Sequence, residues 1–401
     1  MPEPDKTPNL RPDLLALYRK KSLDWRAGAR TLHLDLPVDV FSSFQVDRGT
    51  RALLRAVAAA GDKYPFAMDL GCGYGPIGLF LSAAEIAEKI DALDRDALAV
   101  AFCRHNAAVN GLDQVAARAA IAYEAPKPGA VDAVLTNLPA KAGPAVHRLI
   151  LLGADSVLRP GGDVWLVVVS TLAGRIDEIL ADPAVEVLQR TPRGEHTVYR
   201  YRFRHRPEVP QAPYLRDKST FTWKGEAYTV TALHGLREFD TRSWVTDLVL
   251  DVFRQQARRR GVRHLVACHP QQGHAPLLAR RLAPSVEEIT LISRDRIALR
   301  ASRANLEADG FTGPIHGVHS ADFQLAGGPR GDAAIAVLNE KEGLAVNAAK
   351  LEALLSGAVD AAVVGCKSSF AARLVRELRD RGLRSSAPRK RKALSAFCVR
   401  G

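Results

Sequence analysis

The chain has only five cysteines in 401 residues, Cys72, Cys103, Cys268, Cys366 and Cys398, and none stands in a C-x-x-C pair or in a His/Cys cluster at zinc-ligand spacing. This scatter argues against a structural zinc site and against a disulfide framework, so no metal is expected. Long apolar runs are missing too. None reaches the roughly 18 residues of a membrane span, and Met1 to Lys21 is polar, with several prolines and charges, unlike a secretory leader. The expectation is a cytoplasmic enzyme with no membrane partner. The remaining composition is that of an ordinary globular protein, 47% hydrophobic and 25% charged, long enough for two domains. Its net charge of +12 and pI near 9.6 suit an acidic partner such as nucleic acid.

An internal repeat sets the organisation, with a period of about 198 to 200 residues. Trp25 precedes Phe41 by sixteen positions, as Trp223 precedes Phe239. Leu93-Asp94-Arg95-Asp96 aligns with Ile292-Ser293-Arg294-Asp295, Asn106 with Asn305, Asp132 with Asp332, and Lys141 and Gly143 with Lys341 and Gly343. Several coincidences in one order at a nearly constant offset argue for duplication. The halves meet in the proline-rich stretch Arg206 to Pro213. The expected organisation is an N-terminal extension (1–30), a first domain (31–205), a linker (206–218) and a second domain (219–401).

Apolar periodicity in the first half predicts strands over Pro65–Leu70, Lys89–Leu93, Ala130–Thr136 and Asp163–Ser170, with helices over Pro76–Ala87 and Asp96–Asn110. Strands alternating with helices imply an α/β fold with a doubly wound, Rossmann-like sheet. Its ligand lies beyond the carboxyl ends of the strands.

The segment Asp69-Leu70-Gly71-Cys72-Gly73-Tyr74-Gly75 follows one of these strands and opens a helix. Alternate glycines let a ligand lie against the main chain, where any Cβ would collide. Gly73 to Gly78 fits the dinucleotide pattern G-x-G-x-x-G, and Asp94 after the next strand is placed to hold a ribose, so the glycines alone leave NAD and S-adenosylmethionine (SAM) both open. Asp69 separates them. D-L-G-C-G-x-G resembles the first motif of class I SAM-dependent methyltransferases, and the resemblance implies cofactor contacts from Asp69, Gly71, Gly73, Gly75 and Asp94.

Asn137-Leu138-Pro139-Ala140, at the end of an apolar strand, resembles the (N/D)-P-P-(Y/F) signature of methyltransferases that modify exocyclic or amide nitrogens. By that resemblance Asn137 and the backbone of Leu138-Pro139 are catalytic, with Asn137 also beside the cofactor. Such chemistry needs an amine held with its lone pair toward the methyl carbon, and two carbonyl acceptors achieve this without a strong base. Leu138 departs from the first proline, Ala140 from the aromatic that stacks on the base, and Arg118 to Ile121 lack the acid that meets adenine. The stretch Phe41 to Leu54 resembles F-S-x-x-x-x-D-x-G-T/S-x-x-L-L of the "methyltransferase small" family, which adds Asp47 as a cofactor-pocket candidate or a plain helix cap. That family includes ribosomal-RNA guanine-N2 methyltransferases, and the resemblance covers nearly all of residues 31 to 203.

The second half has lost these features. The cofactor loop aligns with Ala267-Cys268-His269-Pro270-Gln271-Gln272-Gly273, Asp94 with Ser293, and the tetrad with Val337-Leu338-Asn339-Glu340. It is expected to be a degenerate copy, with His269 and His274 as loop residues rather than metal ligands. Two-domain relatives also pair an active with a degenerate copy, in the opposite order. Residues 1–206 carry about +2 and residues 207–401 about +10, with basic clusters at Arg258–Arg260 and Arg263, Arg280–Arg281 and Arg389–Lys392. These suit RNA phosphates. The expected function is methyl transfer from SAM to a base amine in RNA, guanine N2 of ribosomal RNA by the resemblance. The alternatives are a protein amide or small molecule as acceptor, and a non-catalytic RNA-binding or assembly factor that binds SAM.

Overall fold

The computed structural model describes residues 7–124, 129–325 and 330–401. These divide into two compact units, one containing Arg19–Tyr214 with the residues up to Asn9, the other Leu10–Tyr18 with Leu215–Gly401. Helix α1 (Pro12–Tyr18) therefore belongs to the second unit, although it precedes the first in the chain.

The first unit begins with an antiparallel hairpin, β1 (Arg19–Ala27) and β2 (Arg30–Pro37). Helix α2 (Arg48–Ala60) follows, capped by the Asp47 carboxylate, which accepts from Thr50 N–H at 3.2 Å, and stopped by Gly61 in the left-handed region. Then come β3 (Tyr64–Leu70), α3 (Pro76–Ala83), β4 (Ala87–Asp94), α4 (Ala97–Val109), β5 (Val115–Ala119), β6 (Val131–Asn137), α5 (Pro144–Leu152), β7 (Leu158–Val169) and α6 (Ala173–Leu180). A final hairpin, β8 (Val185–Arg193) and β9 (His196–Phe203), closes the unit. The sheet order is β5-β4-β3-β6-β7-β9-β8, parallel as far as β7 and antiparallel in the last hairpin. Winding reverses between β3 and β6, which places the ligand crevice at their carboxyl ends. Met68, Val134, Leu151, Leu166 and Tyr201 are buried between sheet and helices, which is why the strands read as apolar runs.

The second unit repeats this plan. It comprises the hairpin β10 (Leu215–Trp223) and β11 (Glu226–Leu233), then α7 (Trp244–Arg260), β12 (His264–Cys268), α8 (His274–Leu282), β13 (Glu288–Ser293), α9 (Arg296–Ala308) and β14 (Ile315–His319). It continues with β15 (Ala333–Val337), α10 (Leu344–Gly357), β16 (Ala362–Lys367), α11 (Ser368–Asp380), β17 (Arg384–Ser385), β18 (Arg389–Arg391) and β19 (Leu394–Arg400). The order β14-β13-β12-β15-β16-β19-β17, with β18 also on β19, matches the first unit strand for strand. One side chain shows the duplication at atomic scale. Asn106 accepts from Asp35 N–H and donates to the carbonyls of Asp35 and Tyr74, and Asn305 does the same with Thr231 and Gln272. In both units this amide ties the loop after the first parallel strand to the second strand of the entry hairpin.

Several boundaries differ from the expectations, β7 among them, which begins at Leu158 rather than Asp163. The helix predicted to Ala87 ends at Ala83, because Glu85 turns left-handed (φ 54°) and Ile86 N–H reaches back to the Leu81 carbonyl, burying the Ile86 side chain. The segment expected as an extension (1–30) is structured from Pro12 onward, since Trp25 in β1 packs on Phe80 at 5.3 Å; its residues 1–6 lie outside the described residues. Of the expected linker (206–218), the last four residues already belong to β10. Among the described residues no helix is long and apolar enough to cross a membrane.

Candidate cofactor and acceptor site

The loop after β3 is fastened to the end of β4, where Gly71 and Cys72 N–H donate to the Leu93 carbonyl at 2.8 and 3.0 Å. Gly71, Gly73 and Gly75 all take left-handed φ values, 78°, 56° and 98°. They do so for different reasons. A Cβ on Gly71 would meet nothing within 4 Å, and one on Gly73 only Val40 at 4.0 Å, so both turn bare backbone toward open space at the strand ends. A Cβ on Gly75 would come within 2.9 Å of Cys103 Sγ and of Leu79. Gly75 is thus required by packing at the start of α3, and it does not face the crevice as Gly71 and Gly73 do.

Asp69 is wholly buried beneath this loop, and its Oδ2 accepts from Gly78 N–H at 2.9 Å, tying the strand end to the first turn of α3. Its Oδ1 has no hydrogen-bond partner among the described residues, and burial pushes the carboxyl pKa up to about 7. Asp94, at the end of β4, accepts from Gly73 N–H and Asp96 N–H, both at 3.0 Å. Burial, with Asp96 beside it, pushes its carboxyl up to about 6. At the edge where such folds meet adenine, Arg118 turns its guanidinium to Asp91, and Ala120 and Ile121 are buried.

On the acceptor side, Asn137 ends β6 with its Nδ2 donating to Asp47 Oδ2 at 3.0 Å and to Thr50 Oγ1 at 2.9 Å. A carboxylate can only accept, so the amide nitrogen must face Asp47 and the carbonyl oxygen Oδ1 must point away from α2. Asp47 is therefore both the helix cap and the clamp on Asn137. The following turn is also fixed. Leu138 N–H donates to the Val167 carbonyl at 3.0 Å, and the Leu138 side chain is buried in the core, which anchors the position where proline was expected. Pro139 and Ala140 are exposed. The Pro139 carbonyl accepts from His147 Nε2 at 3.0 Å. Burial lowers the His147 pKa and holds the ring neutral, with Nδ1 left as an unpaired acceptor. Sequence reasoning missed Thr50 and His147; a histidine eight residues past Pro139 has no local signature.

In the second unit the loop keeps its shape and loses its space. His269, Gln271 and Gly273 hold the left-handed φ values of Gly71, Gly73 and Gly75, at 54°, 53° and 95°. The His269 ring is buried against Phe323 and 3.0 Å from Lys350 Nζ. Lys350 is fully buried, donating to Glu342 at 2.8 Å and to the Tyr18 hydroxyl of α1, which itself donates to the Ala321 carbonyl. Arg294 completes the cluster on Glu342 at 3.2 Å. His274 is likewise interior, bonded to Tyr228 and the Glu238 carbonyl. Both histidines are thus buried and packed, His269 within the loop and His274 at the start of α8, and among the described residues no cluster of three His, Cys, Asp or Glu could hold a metal.

The geometry of the first unit agrees with what it resembles. Residues 32–199 match the model of the methyltransferase small domain. Over these residues the first unit is similar to a methyltransferase small domain. The chain is 35% identical over 134 residues to "Ribosomal RNA large subunit methyltransferase G" of Streptomyces coelicolor, covering 32% of this chain and 35% of that protein. It is 35% identical over 168 residues to "Ribosomal RNA small subunit methyltransferase C" of Pseudomonas paraeruginosa, covering 40% and 48%. The chain thus spans less than half the length of either relative. The structure of a T. thermophilus 16S rRNA N2 guanine methyltransferase in complex with AdoMet and guanosine superposes over 96% of this chain and 98% of that one, with a TM-score of 0.68 and 18% identity. That likeness shows two tandem methyltransferase-fold units, of which only the first retains the methyltransferase small motifs.

Proposed function

We propose that the methyltransferase small domain transfers a methyl group from SAM to the exocyclic amine of a base in RNA, guanine N2 of ribosomal RNA, while the second unit docks the RNA. The observation that carries this reading is the clamped Asn137 amide, whose nitrogen is committed to Asp47 and Thr50 and whose carbonyl is left for an incoming N–H. SAM is the cofactor, and it supplies an electrophilic methyl group on a sulfonium that departs as a neutral thioether. Gly71 and Gly73 give it a backbone surface without Cβ atoms, and Asp94 offers a carboxylate to the ribose hydroxyls.

The chain's own contribution is orientation. Asn137 Oδ1 and the Leu138 carbonyl would each accept one N–H of the amine, drawing its lone pair out of conjugation and toward the methyl carbon. The Pro139 carbonyl is already taken by His147, which leaves Leu138 as the second acceptor. After transfer the amine proton leaves to water. Exposed Ala140 in place of an aromatic favours a second reading, in which the acceptor is a protein amide or a small molecule that needs no stacking surface.

The test is transfer of labelled methyl from SAM to ribosomal subunits lacking the modification, with nucleoside mass spectrometry of the product. Label in N2-methylguanosine is expected, and Asn137→Ala should reduce it about 100-fold or more while leaving SAM affinity within a few-fold. Label confined to protein would replace this reading with the second.

A further inference from the structure

The three basic clusters of the second half are not equivalent in the fold. Arg280 and Arg281 share Asp309, with Glu226 also at 3.9 Å from Arg281, and Arg263 is bound to Glu287 at 2.7 Å. Arg258, Arg259 and Arg260 fill the last turn of α7, where cations complement the carbonyl end of a helix. The third cluster, Arg389-Lys390-Arg391-Lys392, stands on β18 and the turn into β19, and all four residues are exposed with no carboxylate partner among the described residues. Lys392 turns left-handed (φ 55°) and sets its ammonium 3.6 Å from the centre of the Trp244 ring, with the Arg391 guanidinium at 4.7 Å. Trp244 is 41% exposed at the first position of α7, directly after its Ser243 cap.

The duplication says what this place is. In the first unit the β8–β9 hairpin reaches the carboxyl end of β7, and its His196 lies against Gly49, two residues past Asp47 on the rim of the acceptor site. In the second unit Leu394 pairs with Lys367 at the carboxyl end of β16, so the β18–β19 turn occupies the same rim. Ser243 caps α7 as Asp47 caps α2. The tail of α7, with Arg258–Arg260, is about 25 Å from Trp244 along a 17-residue helix.

We infer that the β18–β19 turn and Trp244 form a docking surface for single-stranded RNA, with Arg389 to Lys392 meeting phosphates and the indole stacking on a base. This rests on the RNA reading proposed above and locates it. Cations without carboxylate partners release counterions on meeting a phosphate chain, and an indole is a stacking platform for any base. An acidic peptide fits less well, because the face of an aromatic ring carries negative potential and offers a carboxylate nothing.

The experiment is fluorescence anisotropy of the full chain with a short labelled single-stranded RNA, across a salt series, with polyglutamate as competitor. Lys390→Ala/Arg391→Ala/Lys392→Ala should weaken binding and flatten the dependence of log K on log salt by about 2 of slope. Trp244→Ala should weaken binding roughly tenfold at every salt, and Trp244→Phe should restore most of it. Arg258→Ala/Arg259→Ala/Arg260→Ala should change neither. Wild-type RNA binding by the hairpin variant and Trp244→Ala overturns this site alone, and displacement of RNA by polyglutamate assigns the surface to an acidic protein instead. No RNA binding by the native chain at low salt removes the RNA reading and this site together.

Discussion

Asp94 carries a consequence that can be read against pH. Burial raises its carboxyl to about 6, above the usual carboxylate range, and in the proposed role its ionised form is the one that would accept hydrogen bonds from two ribose hydroxyls. SAM binding therefore favours loss of the proton, so affinity should be level above about pH 7 and fall as pH drops through 6, by up to about tenfold per unit. Titration calorimetry between pH 5 and 8 reads this directly. Asp94→Asn should bind more weakly at pH 8 and show no slope near 6. A slope that persists in Asp94→Asn belongs instead to Asp69, which titrates near 7, and a flat profile in the native chain would sink the assignment of Asp94. Asp94 and the two outward-facing glycines were legible in the sequence because loop chemistry is local. The clamp on Asn137 was not, because Asp47, Thr50 and Asn137 meet only when the amino end of α2 is laid beside the carboxyl end of β6.

At the scale of elements, helix α1 is the clearest case of a placement that sequence reading could not give. Seven residues at the amino end carry no periodicity long enough to name a partner, yet Tyr18 is fully buried in the second unit and Arg11 pairs with Asp322 there at 2.7 Å. What holds Tyr18 is the interior group of Lys350, Glu342, His269 and Arg294. Burial alone would raise the Glu342 carboxyl and lower the His269 imidazole; Lys350 and Arg294 instead hold Glu342 down to about 2, and His269 falls to about 3. The charged pair is therefore Glu342 with Lys350, and the histidine stays neutral. Removing one member leaves the other charged in the interior, which costs about 3–5 kcal/mol, whereas removing both is close to neutral. Glu342→Gln should accordingly lower stability to urea by that amount, and Glu342→Gln/Lys350→Met should recover most of it. A double variant as unstable as Glu342→Gln would show that Lys350 matters for shape rather than charge.

For the whole molecule, the repeat raises the question of how many cofactors one chain binds. Both units keep the strand order, the loop of three left-handed residues and the asparagine that ties it down, so the backbone of a cofactor cradle exists twice. The two crevices differ in their side chains. At His269 and Gln271 non-glycine residues accept a conformation that costs them of order 1–3 kcal/mol each, and the space in front of the loop is filled by an imidazole, a buried lysine and Tyr18. Ser293 stands where the first unit has Asp94. A SAM molecule entering there would have to displace groups already paired and buried, so the stoichiometry should be one SAM per chain. Calorimetry or equilibrium dialysis on the full chain measures it, and Gly73→Val should take the count from one to zero by placing a branched side chain where only Val40 stands within 4.0 Å of the Cβ position. A count of two in the native chain, or a count of one that survives Gly73→Val, would mean that the second crevice opens and that its buried lysine cluster is a gate rather than a seal.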